Sequence, residues 1–395
     1  MNTTTAALLT LLLASGCSRD SGREAGRRGE LCLDSAGVEI LENGFPKWPA
    51  TGGWRLSAAP ALDIGLAAGP PEAQFYRVES AGRFPDGRVF VADGGGQDIR
   101  IFGADGGFLY AFGSEGDGPG EFRFLRRVAL GSADTLWTWD HRLQRLSSFA
   151  ADGTFLRSVR LGPTKEAAAV DYVGALPDGR HLVLVPDLGD MRSFREGPLP
   201  GQESYLVLLE ANRMSGDTLA TIRLPPMWRR VLRQAPTGTT AIVRARLPFT
   251  GASPVALAGG GLHTAVWDRP EVRTYGADGR LRRIIRYRQD RRVLSTRLRD
   301  GAERRTAGSE VPLPDAAGIV AGLLVDPLHN VWVRSVSLPG DTLASWVVLS
   351  GDGTWLGTVA MPEDLRVLEI GADYVLGTRT DDLDREHVVQ FGLVR

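Results

Sequence analysis

Asp140, His141 and Arg142 are consecutive in this chain, Asp268 is followed by Arg269, and Arg334 and Arg379 stand further on. Carboxylates of this kind can hold a cation, and guanidinium groups offer a planar fork of donors suited to a carboxylate or phosphate. Gathered around one opening, the set would bind a cation, a carboxylate or a peptide. Kept apart, the same groups would only pair with each other in solvent, at under about 1 kcal/mol each. An Asp that ends an apolar stretch, as Asp93 and Asp140 do, is also a residue that caps turns. Covalent chemistry has less to attach to: no Gly-x-Ser-x-Gly, Ser-x-x-Lys or His-Glu-x-x-His is present. The Gly94-Gly95-Gly96 and Gly118-Pro119-Gly120 runs do not open a helix after a strand, so they read as turns rather than phosphate cradles.

The elements that must position these groups are strands. Phe84-Pro85-Asp86-Gly87-Arg88 is a turn followed by Val89-Phe90-Val91-Ala92-Asp93, and Gly103-Ala104-Asp105-Gly106 is a second turn leading into Gly107-Phe108-Leu109-Tyr110-Ala111-Phe112. An Asp-Gly between short β-rich runs is the strongest local hairpin signal. The second turn recurs at Ala151-Asp152-Gly153, Ala277-Asp278-Gly279 and Gly351-Asp352-Gly353, and the first at Leu176-Pro177-Asp178-Gly179. Asp105 to Asp152 is a step of 47 residues and Asp86 to Asp178 one of 92, or twice 46. A period in the forties with four strands per unit belongs to propeller blades.

Residues 75–160 resemble the NHL-type six-bladed propellers, through Val91-Ala92-Asp93 at a strand end and Gly118-Pro119-Gly120-Glu121-Phe122 in the link to the next blade. The resemblance implies an all-β ring of four-stranded antiparallel blades. Strand counting places blade one at 78–112, blade two at 128–161, blade three at 171–224, blade four at 254–287 and blade five at 319–360. The C-terminus from Leu365 holds three strands, and Trp54 to Ile64 is an orphan strand. Joining them makes a sixth blade closed by the N-terminal strand, which also removes two exposed sheet edges.

In such a blade the links between blades share one face with the loops joining second and third strands. That face would gather Asp140, His141, Arg142, Asp268, Arg269, Arg334 and Arg379, together with Asp93, Asp98, Asp187, Asp190, Arg192, Asp381 and Asp382. It also receives Pro225–Ser253 and the arginine-rich Arg288–Ala317, with Trp228 and the arginine-rich segment near Arg291 as an expected lid. The histidines His141, His181, His263, His329 and His387 fall on different faces, which argues against a shared zinc site.

With 395 residues, a net charge of −1 and only Lys47 and Lys165 as lysines, no overall field favours nucleic acid. The apolar run from Ala6 to Ala14 has the length of a signal-peptide core and is too short to span a bilayer. It ends in Leu13-Ala14-Ser15-Gly16-Cys17, which resembles the lipobox of bacterial lipoproteins and implies acylation of Cys17. The expected plan is a lipoprotein-type signal peptide over 1–17, a flexible linker over 18–49 and the propeller over 50–395. Cys32 would then be a spare thiol. The expected function is a monomeric binding or scaffold propeller, exported and lipid-anchored at the cell envelope, taking a protein, peptide or small molecule at the channel mouth. No cofactor is expected. The alternative is a metal-dependent propeller enzyme, a lactonase-like hydrolase or lyase, whose channel divalent cation would draw on Glu79, Asp171 and Glu369.

Overall fold

The computed structural model describes residues 30–49, 52–65, 71–161, 170–176, 178–186, 197–199, 203–209, 218–234, 239–258, 261–305 and 313–395. Six antiparallel four-stranded blades form the ring. The first strands, innermost in each blade, are Val78–Arg83, Leu125–Leu130, Asp171–Ala175, Val255–Ala258, Val320–Val325 and Arg366–Ile370. The expected blade boundaries stand, with blade two beginning slightly earlier, at Leu125.

Successive side chains alternate between the two faces of each blade and both faces carry apolar residues, which meet the preceding blade and the next. Among the described residues six apolar clusters result, one at each interface. Between blades one and two, Phe90, Ile99 and Ile101 meet Phe122, Leu136 and Phe149. Phe122 is the aromatic of the Gly-Pro-Gly-Glu-Phe link, and Glu121 accepts from the Gly118 N–H at 2.7 Å. That motif therefore shapes the link between blades.

Ring closure is as expected. Strand β3, in chain order after two shorter strands, spans Arg55–Ile64 and pairs antiparallel with the last strand, Glu386–Val394. Leu62 and Ile64 are buried in the cluster joining blades six and one. Trp54 stacks on Trp48 and Trp332 at 4.8 and 5.6 Å, and the Arg395 guanidinium lies 4.1 Å over the Trp54 ring. Arg395 also reaches the buried Asp326, so Trp54, just ahead of β3, and the C-terminal Arg395 are both tied to blade five.

The linker expectation needs correction over residues 30–49. Glu30–Ser35 (β1) and Val38–Asn43 (β2) form a hairpin, and β2 pairs in parallel with the outer strand of blade four, Leu281–Tyr287. Glu39 and Glu42 pair with Arg283 and Arg286, and Asn43 bridges two blades by donating to the Arg286 and Gly353 carbonyls, both at 3.1 Å. Gly353 has φ +93°, and a Cβ there would lie 2.3 Å from Leu41. Polar composition hid the segment because its partner is a strand about 240 residues away.

The segment 225–253 holds a second hairpin, Met227–Gln234 with Thr239–Arg246, joined by Gly197–Leu199 from the blade-three loop. Between blades four and five lies helix α1, Thr296–Arg305. Leu294, Ala317 and Leu338 form a small core there with Phe249 and Leu298, so this link folds onto blade five.

Candidate functional site

The first strands carry a repeated irregularity. Five of the six bulge at equivalent places, between Val78 and Ser80, Leu125 and Arg127, Tyr172 and Gly174, Val320 and Gly322, and Val367 and Glu369. A bulge inserts one unpaired residue and re-aims its neighbours. The inserted residues are Glu79, Arg126, Val173, Ala321 and Leu368, so the polar character of the channel wall near the link face depends on the bulge.

The expected ring of ligand-binding residues divides. Asp140 leaves the set: it is buried, and its carboxylate accepts from the N–H groups of Arg123, Phe124 and Leu143 at 2.6, 3.2 and 2.8 Å. Asp93 does the same one blade earlier, accepting from Tyr76, Arg77 and Gly95. Both carboxylates splint the incoming link to the following loop. His141 lies 3.1 Å from Asp171, Arg142 is exposed, and Arg379 forms an exposed pair with Asp364 at 2.8 Å. Asp187, Asp190, Arg192 and Cys17 lie outside the described residues.

Arg334 is in a pocket. A cavity of about 230 Å³ on the link face is walled by Arg334, Ser337 and Glu363, by Ala321 of the blade-five first strand, and by Arg246 and Gly251 from the link between blades three and four. Glu363 accepts from Arg334 Nη2 and from the Ser337 hydroxyl, both at 2.7 Å. Arg334 Nε is buried and has no hydrogen-bond partner among the described residues. The exposed Arg246 guanidinium has no ion-pair partner among the described residues. The wall is rigid, because a Cβ on Gly251 would lie 2.0 Å from the Val320 carbonyl, and Ala252 N–H donates to that same oxygen at 2.7 Å.

Two further arginines on first strands escaped the sequence reading. Arg127 donates to the Val173 carbonyl at 3.1 Å, and Arg366 donates to the Val78 carbonyl and to Thr378 Oγ1. Neither has a carboxylate partner among the described residues. Both side chains are reached by solvent, although Arg127 is enclosed by protein and burial lowers its guanidinium pKa from the ordinary value. Register set by the bulges places them here, and nothing local in the sequence marks it.

Asp268 and Arg269 line a different cavity, of about 240 Å³, between blades three and four. Arg291, expected in a lid, instead donates to the Ala316 and Ala317 carbonyls and holds its own link together. Trp228 is buried in the second hairpin, paired opposite Pro198.

The channel carboxylates expected to hold a cation do not converge. Glu79 bridges Arg77 and Arg126 at 2.8 and 3.1 Å, and Asp171 faces His141. Glu369 accepts from Arg83 N–H and from the Tyr374 hydroxyl, and burial raises its carboxyl above the ordinary range. Among the described residues no three His, Cys, Asp or Glu side chains come together as a ligand set. These three carboxylates therefore do not fit a channel cation.

The chain is similar in fold to a Bacteroides fragilis protein described as a "Putative exported protein", with TM-score 0.50 and 11% identity over 90% of this chain and 100% of that one. Staphylococcus aureus virginiamycin B lyase follows with TM-score 0.42 and 10% identity, covering 87% of this chain and 100% of that one. A Xanthomonas campestris gluconolactonase has TM-score 0.41 and 12% identity, covering 85% and 99%. At such identities the likeness concerns the fold. No protein-family model and no curated protein matches the sequence.

Proposed function

We propose that this chain is an exported binding propeller, held at the cell envelope through an acylated Cys17, that takes an anionic ligand in the blade-five pocket at the channel mouth. The observation that carries this reading is Arg334: a guanidinium paired with Glu363 through Nη2, with Nε–H buried and unpartnered among the described residues, in a cavity whose opposite wall brings Arg246, which has no ion pair among the described residues. An orphaned buried donor costs about 1–3 kcal/mol, and an acceptor delivered by a ligand would recover it. A carboxylate suits the site, because the guanidinium fork matches its two oxygens. Arg127 and Arg366, both without carboxylate partners among the described residues, add to the positive character of the channel wall and favour an anion over a cation. The apolar run before Cys17 supports export, and the exported description of the Bacteroides protein agrees with it.

The test is calorimetric titration of the folded protein with succinate and, separately, with inorganic phosphate. Succinate is expected to bind and phosphate to bind more weakly. Arg334→Met is expected to weaken succinate by about tenfold or more, equivalent to about 1.4 kcal/mol, whereas Arg379→Met leaves it unchanged. Equal binding of succinate by wild type and a folded Arg334→Met variant refutes the assignment.

A further inference from the structure

The cavity holding Asp268 and Arg269 has a chemistry of its own. Its lining includes Thr264, Ala265 and Tyr275 of blade four, Ile222 and Arg223 of blade three's outer strand, and Glu203 at the start of the strand before it. Ile222, Thr264 and Ala265 are buried and make an apolar floor with one hydroxyl. The charges at its edge are of both signs and remain separate. Asp268 is half-buried and, among the described residues, has neither a hydrogen bond nor an ion pair; the same holds for the exposed Glu203 side chain. The Arg223 and Arg269 guanidinium groups have no carboxylate partner either, although Glu203 and Arg223 are cross-strand neighbours. Arg273 is fixed in the wall by Glu271, whose carboxylate it meets at 2.8 Å.

Opposite charges in one cleft ordinarily find each other, at a gain of up to about 1 kcal/mol each. Here Asp268 and Arg269 are adjacent in a tight loop, in which Arg269 N–H donates to the Val266 carbonyl and Glu271 N–H to the Arg269 carbonyl. The turn thus presents both side chains at the cleft. About 240 Å³ is the share of about eight waters in the liquid, room for a molecule of amino-acid size.

We propose that the cleft between blades three and four is a second binding site, for a free α-amino acid, with Asp268 accepting from its ammonium group and Arg269 and Arg273 donating to its carboxylate. The apolar floor at Ile222 and Ala265, beside the Tyr275 ring, takes an aliphatic side chain. This site is independent of the blade-five pocket and requires a ligand carrying both charges.

The experiment is a melting-temperature screen of the full mature chain against the standard amino acids, repeated for the best of them with its N-acetyl and carboxamide derivatives. An aliphatic amino acid is expected to raise the midpoint saturably, and both derivatives are expected to lose the effect. Asp268→Asn should weaken the apparent affinity by about tenfold or more, and Arg334→Met should leave it within about twofold. Because Asp268 is only half-buried and the Arg334 side chain reaches solvent, circular dichroism should show both variants folded. Absence of any shift with wild type, a shift retained by the N-acetyl derivative, or a shift lost in Arg334→Met would each overturn the proposal; the last would place the ligand at the channel mouth. A failure of succinate to bind would leave this result standing.

Discussion

Closure of the ring by β3 can be tested quantitatively. The strand contributes two buried side chains, Leu62 and Ile64, and partly buries Leu56 against the neighbouring blades. Its backbone supplies the partner for Glu386–Val394, from Ile64 opposite Val388 to Arg55 opposite Val394. Replacing a buried Leu or Ile by Ala costs about 2–5 kcal/mol, so Ile64→Ala should lose about that amount. Leu62→Ala with Ile64→Ala should lose about 4–10 kcal/mol, less any coupling between these neighbours, against a whole-domain stability of about 5–15 kcal/mol. The exposed Ala61→Ser, on the same strand, should stay within about 0.5 kcal/mol. The assay is urea unfolding followed by tryptophan fluorescence, with hydrogen exchange of residues 386–394 as a local probe. Deleting residues 52–64 should leave the Glu386–Val394 edge unpaired, abolish protection there and promote association. A double variant that loses less than about 1 kcal/mol, or a deletion that keeps protection in the last strand, would show that β3 does not hold the ring closed.

Other outcomes follow from the same geometry. His181 is fully buried, and burial, with Arg157 nearby, lowers its imidazole pKa from 6.5 to about 4. The folded protein then binds fewer protons than the unfolded chain, so this contribution is complete above pH 6.5 and is lost as pH falls toward 4. Near pH 5 the loss is about 2 kcal/mol, and His181→Leu should flatten the stability profile by that amount over this window. Asp140→Ala leaves three backbone N–H groups without their acceptor and should cost about 2–4 kcal/mol in the same urea assay. Gly251→Ala drives a Cβ against the Val320 carbonyl and should destabilise by about 1–3 kcal/mol while weakening succinate binding. Asn43→Ala should loosen the β1–β2 hairpin from blades four and five, read as faster proteolysis between residues 44 and 53.

How much was legible follows from the range of the interactions involved. The Asp-Gly turns at Asp86, Asp105, Asp152, Asp278 and Asp352 are local signals, since the backbone conformation they need is a property of the residues themselves. Their spacing was enough for blade boundaries, and the orphan strand from Trp54 to Ile64 beside a three-stranded C-terminus was enough for closure. The β1–β2 hairpin was not legible because its stability comes from Leu41, Glu39 and Glu42 meeting a strand of blade four, and no propensity within residues 30–43 announces that partner. The candidate site divides along the same line. Asp140 and Asp93 end apolar strands and were open to a capping reading from sequence alone. Arg334 could be named, but its buried Nε and its companions Arg246 and Glu363 are brought together from three separate elements: a blade-five strand, the 227–246 hairpin and the loop after Pro362. Arg127 and Arg366 depended on the bulges in the first strands, since one inserted residue exchanges which side chains meet the channel and which meet the next blade. The separation of Asp268 and Arg269 from Arg334 into two cavities arose only from the packing of blades against links. Residue types pointed to charge recognition, and tertiary packing decided which charges are consumed within the protein and which stand without a partner among the described residues.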